Sequence, residues 1–142
     1  MDSLNKALAI VEAALDKKAL DLKVLRVEHL SSVADYFIIA TGRSDVQVQA
    51  VARGIEERMD QLRAYPLAIE GFGHGHWIVL DYDDVVIHVF FEPVRDFYRL
   101  ESTWTDAQEV ALPASLQAQA RVQSVRASSD AEAVFRIDSA RR

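Results

Sequence analysis

The chain has 142 residues, half of them hydrophobic, with 22 acidic against 16 basic side chains and a formal charge of −6. That is the length of one domain with enough apolar material for a proper core. It has no cysteine, which excludes disulfides, thiolate metal sites and thiol nucleophiles and suits the cytosol.

Leu4, Leu8, Val11 and Leu15 recur at helical spacing, so the N-terminus reads as an amphipathic helix. It carries Asp2 and Glu12, unlike a signal or transit peptide. No apolar run approaches the ~20 residues of a membrane span, and the chain is expected to be soluble and cytoplasmic. A short strand follows at about 22–28, then a buried strand at 35–41 ended by Gly42. Ser44 stands three residues before Gln47, a capping-box spacing. Val48, Val51, Ile55, Met59 and Leu62 form the core face of a helix over 45–63, which Pro66 keeps from continuing. "LAIEG" is a short strand, and the three glycines of "GFGHGH" mark a loop. "WIVLDYDDVVIHVFF" is two β runs around Asp83-Asp84, a hairpin. Pro93 opens a last helix at about 94–102, with Arg95, Tyr98 and Glu101 at spacing three.

This order predicts an α/β domain over residues 1–110. Its sheet is mixed, with roughly five strands, and its helices pack mainly on one face. Residues 111–142 are rich in Ala, Ser, Gln and Arg and nearly free of aromatics. They read as an appended, mobile extension. That extension carries a charge of +2, which leaves −8 on the rest of the chain. So acidic a domain is a poor ligand for nucleic-acid backbones, DNA included, and is better suited to a basic protein.

Thr41-Gly42-Arg43-Ser44 is the first candidate for chemistry. A strand, a glycine turn and a helix start can hold a phosphate. A nucleotidyltransferase-like enzyme would use Thr41, Gly42 and Ser44 with a carboxylate pair, Asp81 and Asp83, to hold magnesium. That pair lies on a distant hairpin, however. Glu56 and Glu57 are adjacent on the helix and point apart, and Asp45 in the first helical turn repels a phosphate. A structural joint, with Ser44 as a helix cap, is the preferred reading. His74, His76, Asp81 and His88 have no recognised metal spacing, so no metal or cofactor is expected. Trp77, Tyr82, Phe90, Phe91, Phe97, Tyr98 and Trp104 crowd into one short stretch. Strand alternation puts Trp77, Val79 and Asp81 on one face and Ile78 and Leu80 on the other. Likewise Val86, His88 and Phe90 oppose Val85, Ile87 and Val89. One set belongs on the open sheet face beside Arg95 and Tyr98. Trp, Tyr and Arg anchor interfaces, so this face reads as a protein-docking surface.

Three blocks, in order, resemble the ribosomal silencing factor (Iojap) family. They are "SSVADYFIIATGRSDVQVQA", "EGFGHGHWIVLDYDDVVIHVF" and "RDFYRLESTW"; with the N-terminal helix they cover about residues 4–107. The resemblance implies a fold related to the nucleotidyltransferases but without their catalytic acids, and no enzymatic activity. It implies docking on large-subunit ribosomal protein fourteen, which blocks joining of the small subunit and lowers translation in starvation. Carried over residue by residue, the docking surface involves Trp77, Asp81, His88, Phe90, Arg95 and Tyr98. Asp83 departs from the family, where Gly is frequent, and Phe91 stands where a polar residue is common. A homodimer through the same aromatic face, competing with docking, is a weaker expectation. The tail arginines suit either an RNA contact or a solvated extension, and the composition favours the second.

Overall fold

The computed structural model describes residues 1–123. Chain order is α1 (Ser3–Asp16), β1 (Leu20–Arg26), β2 (Tyr36–Gly42), α2 (Asp45–Gln61), β3 (Ala68–Glu70), β4 (Trp77–Asp81), β5 (Val85–Phe91), α3 (Glu92–Tyr98), α4 (Leu100–Thr103) and β6 (Gln108–Glu109). The strands form one sheet in the order β3-β4-β5-β2-β1-β6. Among the described residues only the central pair, β2 with β5, is parallel; the other pairs are antiparallel. The sheet is therefore mixed, as expected, but has six strands among the described residues rather than about five. The extra strand, β6, is two residues long, too short to show any alternation in sequence.

Register explains which side chains go where. Val24, Ile38, Ile87, Leu80 and Ile69 lie opposite one another across five strands. The first four are fully or almost fully buried, in one core with Ile10, Val11, Val51, Ile55 and Met59 of α1 and α2. Burying each such aliphatic side chain contributes about 1.5–3 kcal/mol, so this face fixes the two long helices. The opposite face holds a smaller cluster of Leu25, Val27, Ile39, Val86 and Phe90, packed against Val94, Leu100 and Trp104. The long helices thus sit on one face, while α3, α4 and the turn after them cover part of the other.

The last helix differs from the expected span of 94–102. It breaks into α3 and α4 at Arg99, which is left-handed (φ 47°). The chain also continues past residue 110 along the first core: Leu112, Leu116 and Ala120 pack on it, residues 114–123 are helical, and the Gln123 Nε2 donates to the Leu15 carbonyl at 2.7 Å. The remainder of the expected extension, 124–142, lies outside the described residues.

Candidate functional site, an aromatic face on the sheet

The glycine turn is a joint. Gly42 ends β2 so close to α2 that a Cβ there would meet Val48 Cγ2 at 2.8 Å and the Val48 backbone nitrogen at 3.0 Å. Ser44 caps α2: its Oγ accepts from the Gln47 amide at 3.1 Å and its carbonyl from the Val48 amide at 3.0 Å. The Val46 amide donates to Asp45 Oδ1 at 2.9 Å. The amides of Val46, Gln47 and Val48, three of the donors that a phosphate at this helix end would use, are thus taken by the chain's own oxygens. Gln47 Oε1 accepts from the Arg43 amide at 2.7 Å, one residue before the bond a full capping box would make. Asp81 and Asp83 stand at the other end of the sheet. Asp81 pairs with Val86, level with Phe37, four residues or about 13 Å along the strand from Thr41. Asp83 lies in the hairpin turn beyond it, left-handed at φ 73°, its amide donating to Asp81 Oδ1 at 2.9 Å. The turn and the two acids are not brought together.

Thr41 instead faces the smaller core, where it binds Arg95. Arg95 Nη1 donates to Thr41 Oγ1 at 2.6 Å and to the Asp21 carbonyl at 2.5 Å; Nε donates to Glu101 Oε1 at 3.3 Å. Arg95 is only 7% exposed, so its charge is balanced internally. Burial pulls the Glu101 carboxyl up, but a backbone hydrogen bond and Arg95 outweigh it and leave the group below its ordinary range. This lattice fixes α3 across the end of the sheet and sets where the rest of that helix points.

It points Tyr98 at Trp77, with ring centroids 5.0 Å apart. Trp77 packs in turn on Phe90 at 4.9 Å, and its indole Nε1 donates to His88 Nδ1 at 3.0 Å. His88 therefore accepts through Nδ1 and carries its proton on Nε2. Burial lowers its pKa to about 4, so it is neutral at pH 7. Phe37 meets His88 edge-on at 5.8 Å and Trp104 at 4.9 Å. Phe97 stands against Tyr98 at 5.1 Å. Exposure divides these residues. Phe90 is 0% exposed and Arg95 nearly so; Trp77, Asp81 and His88 are half-buried; Tyr98 is 56% and Phe97 81% exposed.

Alternation thus placed Trp77, Asp81, His88 and Phe90 on one face, with Ile78 and Leu80 on the other, as the sequence required. Five of the six residues expected in a docking surface meet at one end of that face, and Asp81 lies apart near the hairpin. His74 and His76 belong to the glycine loop, where His76 stacks on Phe91 at 5.8 Å. Thr41, Asp21 and Glu101 were not singled out for this face in the sequence. Asp21 contributes its carbonyl from a left-handed position (φ 46°), beside a register shift between Leu20 and Lys23, a feature with no residue-type signature.

A mixed sheet, with two long helices on one side and an aromatic cluster half-covered on the other, defines a small α/β protein that presents a face. The family model described as ribosomal silencing factor during starvation matches residues 1–138. A ribosomal silencing factor of Bacillus subtilis is 46% identical over 101 residues, 70% of this chain and 86% of that protein. One of Zymomonas mobilis is 37% identical over 75% of this chain and 80% of its own length. A crystal structure of a protein from Chromobacterium violaceum superposes with a TM-score of 0.73 at 31% identity, over 79% of this chain and 92% of that one. The chain belongs to the ribosomal silencing factor family.

Proposed function

We propose that this protein silences ribosomes by docking on the large subunit through the face built around Trp77 and Tyr98. Its partner there is large-subunit ribosomal protein fourteen, and the bound chain blocks joining of the small subunit, slowing translation in starvation. The observation that carries this reading is the exposed Phe97–Tyr98 pair, continuous with Trp77 on an otherwise acidic protein. Large rings exposed together at the edge of a packed cluster are what interface anchors look like. Their acidic surroundings suit a basic ribosomal partner. Within the six residues, Trp77 and Tyr98 make the contact, His88 borders it, Phe90 and Arg95 hold it up from beneath, and Asp81 adds negative charge farther along the same face, near the hairpin. The role requires no catalysis, cofactor or metal. A second copy of the chain competes for the same rings, so self-association and docking exclude each other.

Co-sedimentation with isolated large subunits tests this. Wild type is expected to pellet with the subunits, and Trp77→Ala and Tyr98→Ala, each shown to be folded, to bind about tenfold or more weakly, as loss of an interface anchor requires. Binding unchanged in both variants would move the surface elsewhere. Failure of wild type to bind would overturn the proposed role.

A further inference from the structure

We propose that the groove along the β1–β6 edge of the sheet is the seat of this chain's own C-terminal segment, with Phe135 and Ile137 set against its floor. The groove runs between the start of β1, the stretch that follows β6 and the helix over 114–123, and its volume is about 690 Å³. Clefts of that size enclose a whole small ligand. Leu22, Val24, Val110, Leu112 and Ala120 line it. Val24 is buried, but the other four are only half-buried where they pack on the first core. The core therefore stops short at this edge. It leaves apolar surface in water that a further layer of side chains would remove.

Where the described chain ends decides the occupant. The helix over 114–123 is itself one wall of the groove, through Gln117, Ala120 and Arg121, so residues 124–142 start from that wall. Among them Val134, Phe135 and Ile137 are large apolar residues close together, after a stretch dominated by Ser, Ala and charged side chains. In an extended segment, alternation puts Phe135 and Ile137 on one side and Arg136 and Asp138 on the other. Residues 124–133 span up to about 33 Å when extended, enough to return along a helix about 15 Å long. Charge agrees with this occupant. Asp21 and Glu109 line the groove, are exposed, and enter none of the ion pairs found among the described residues. Arg136 is long enough to turn back to them, and Asp138 complements Arg121. Such rim pairs orient a segment more than they hold it. A tether this short also keeps the segment at an effective concentration of about millimolar, against which a free peptide or a second copy competes poorly. The groove lies on the α1–α2 side of the sheet, leaves the Trp77–Tyr98 face free and does not depend on its role.

The chain has no cysteine, so a spin label on Ser139→Cys marks this segment alone. Amide NMR of the labelled full chain should show the strongest broadening at Leu22, Val110, Leu112 and Ala120. Adding Phe135→Ser/Ile137→Ser to the labelled chain should weaken that broadening by about threefold or more. The same double variant without the label should melt roughly 3 °C lower than wild type, as loss of a small apolar contact requires. Labelled chains mixed with unlabelled, isotope-enriched chains should pass on little broadening. Broadening spread evenly over the surface, or unchanged by the double variant, would overturn the proposal. So would broadening centred on Trp77 and Tyr98. Broadening as strong in the mixed sample as within one chain would overturn it too, by seating a second copy in the groove.

Discussion

His88 is neutral because the fold leaves it no room for a second proton. Its Nδ1 is occupied by the Trp77 indole and its ring lies among Phe37, Trp77 and Phe90. Between pH 6.5 and about 4 the unfolded chain binds a proton at this position and the folded chain does not. Stability due to this group is therefore full above pH 6.5, falls as pH drops, and levels off below about 4. The loss amounts to as much as about 3 kcal/mol. Urea unfolding at pH 7 and pH 4.5 should show wild type losing more stability than His88→Gln, which has no titrating group in that window. Arg95 acts differently, as a charged pin. Removing it in Arg95→Leu strands Glu101, Thr41 and the Asp21 carbonyl, and is expected to cost about 3 kcal/mol, read as a lower urea midpoint. Alternation placed His88 on the aromatic side of the sheet, whereas the burial of Phe90 and Arg95 depended on how α3 crosses the sheet. Nothing in the residues 92–98 fixes that crossing until Thr41 and Asp21 are known to receive Arg95.

The elements were most legible where periodicity was longest. Val48 to Met59 repeat at helical spacing, and α2 forms there because Ser44 caps it and Gly42 lets it come close. A Gly42→Ala chain must push Val48 away at 2.8–3.3 Å, so strand and helix separate. The expected cost is about 1–3 kcal/mol, measured as a fall in the thermal midpoint, with the Trp77–Tyr98 contact itself unchanged. Short elements were opaque for a physical reason. The Arg95, Tyr98 and Glu101 spacing looks like one helix. Left-handed Arg99 breaks it and turns Glu101 back to Arg95, a tertiary ion pair that spacing alone does not reveal. β6 exists because Leu25 and Arg26 offer it an edge; its own two residues carry no pattern.

At the scale of the molecule, the sheet gives the protein two unlike sides. One is buried under α1, α2 and the segment ending in the 114–123 helix. The other is left partly open, and there the aromatic side chains gather. The fold class was legible because the two central strands, β2 and β5, are near-continuous apolar runs bounded by turn residues and each long helix has one apolar face. The composition of residues 111–142 concealed that Leu112, Leu116 and Ala120 lie on the core, since three small or isolated apolar residues among Ala, Ser and Gln make no stripe. The central claim is that the Trp77–Tyr98 face, once seated on the large subunit, keeps the small subunit away. Light scattering of purified subunits follows their joining directly. With excess wild-type protein preincubated on large subunits, joining should be slowed by about tenfold or more, and Tyr98→Ala should restore most of the rate, as expected for an anchor whose loss weakens binding. Unimpeded joining on large subunits shown to carry the bound wild-type protein would contradict the account.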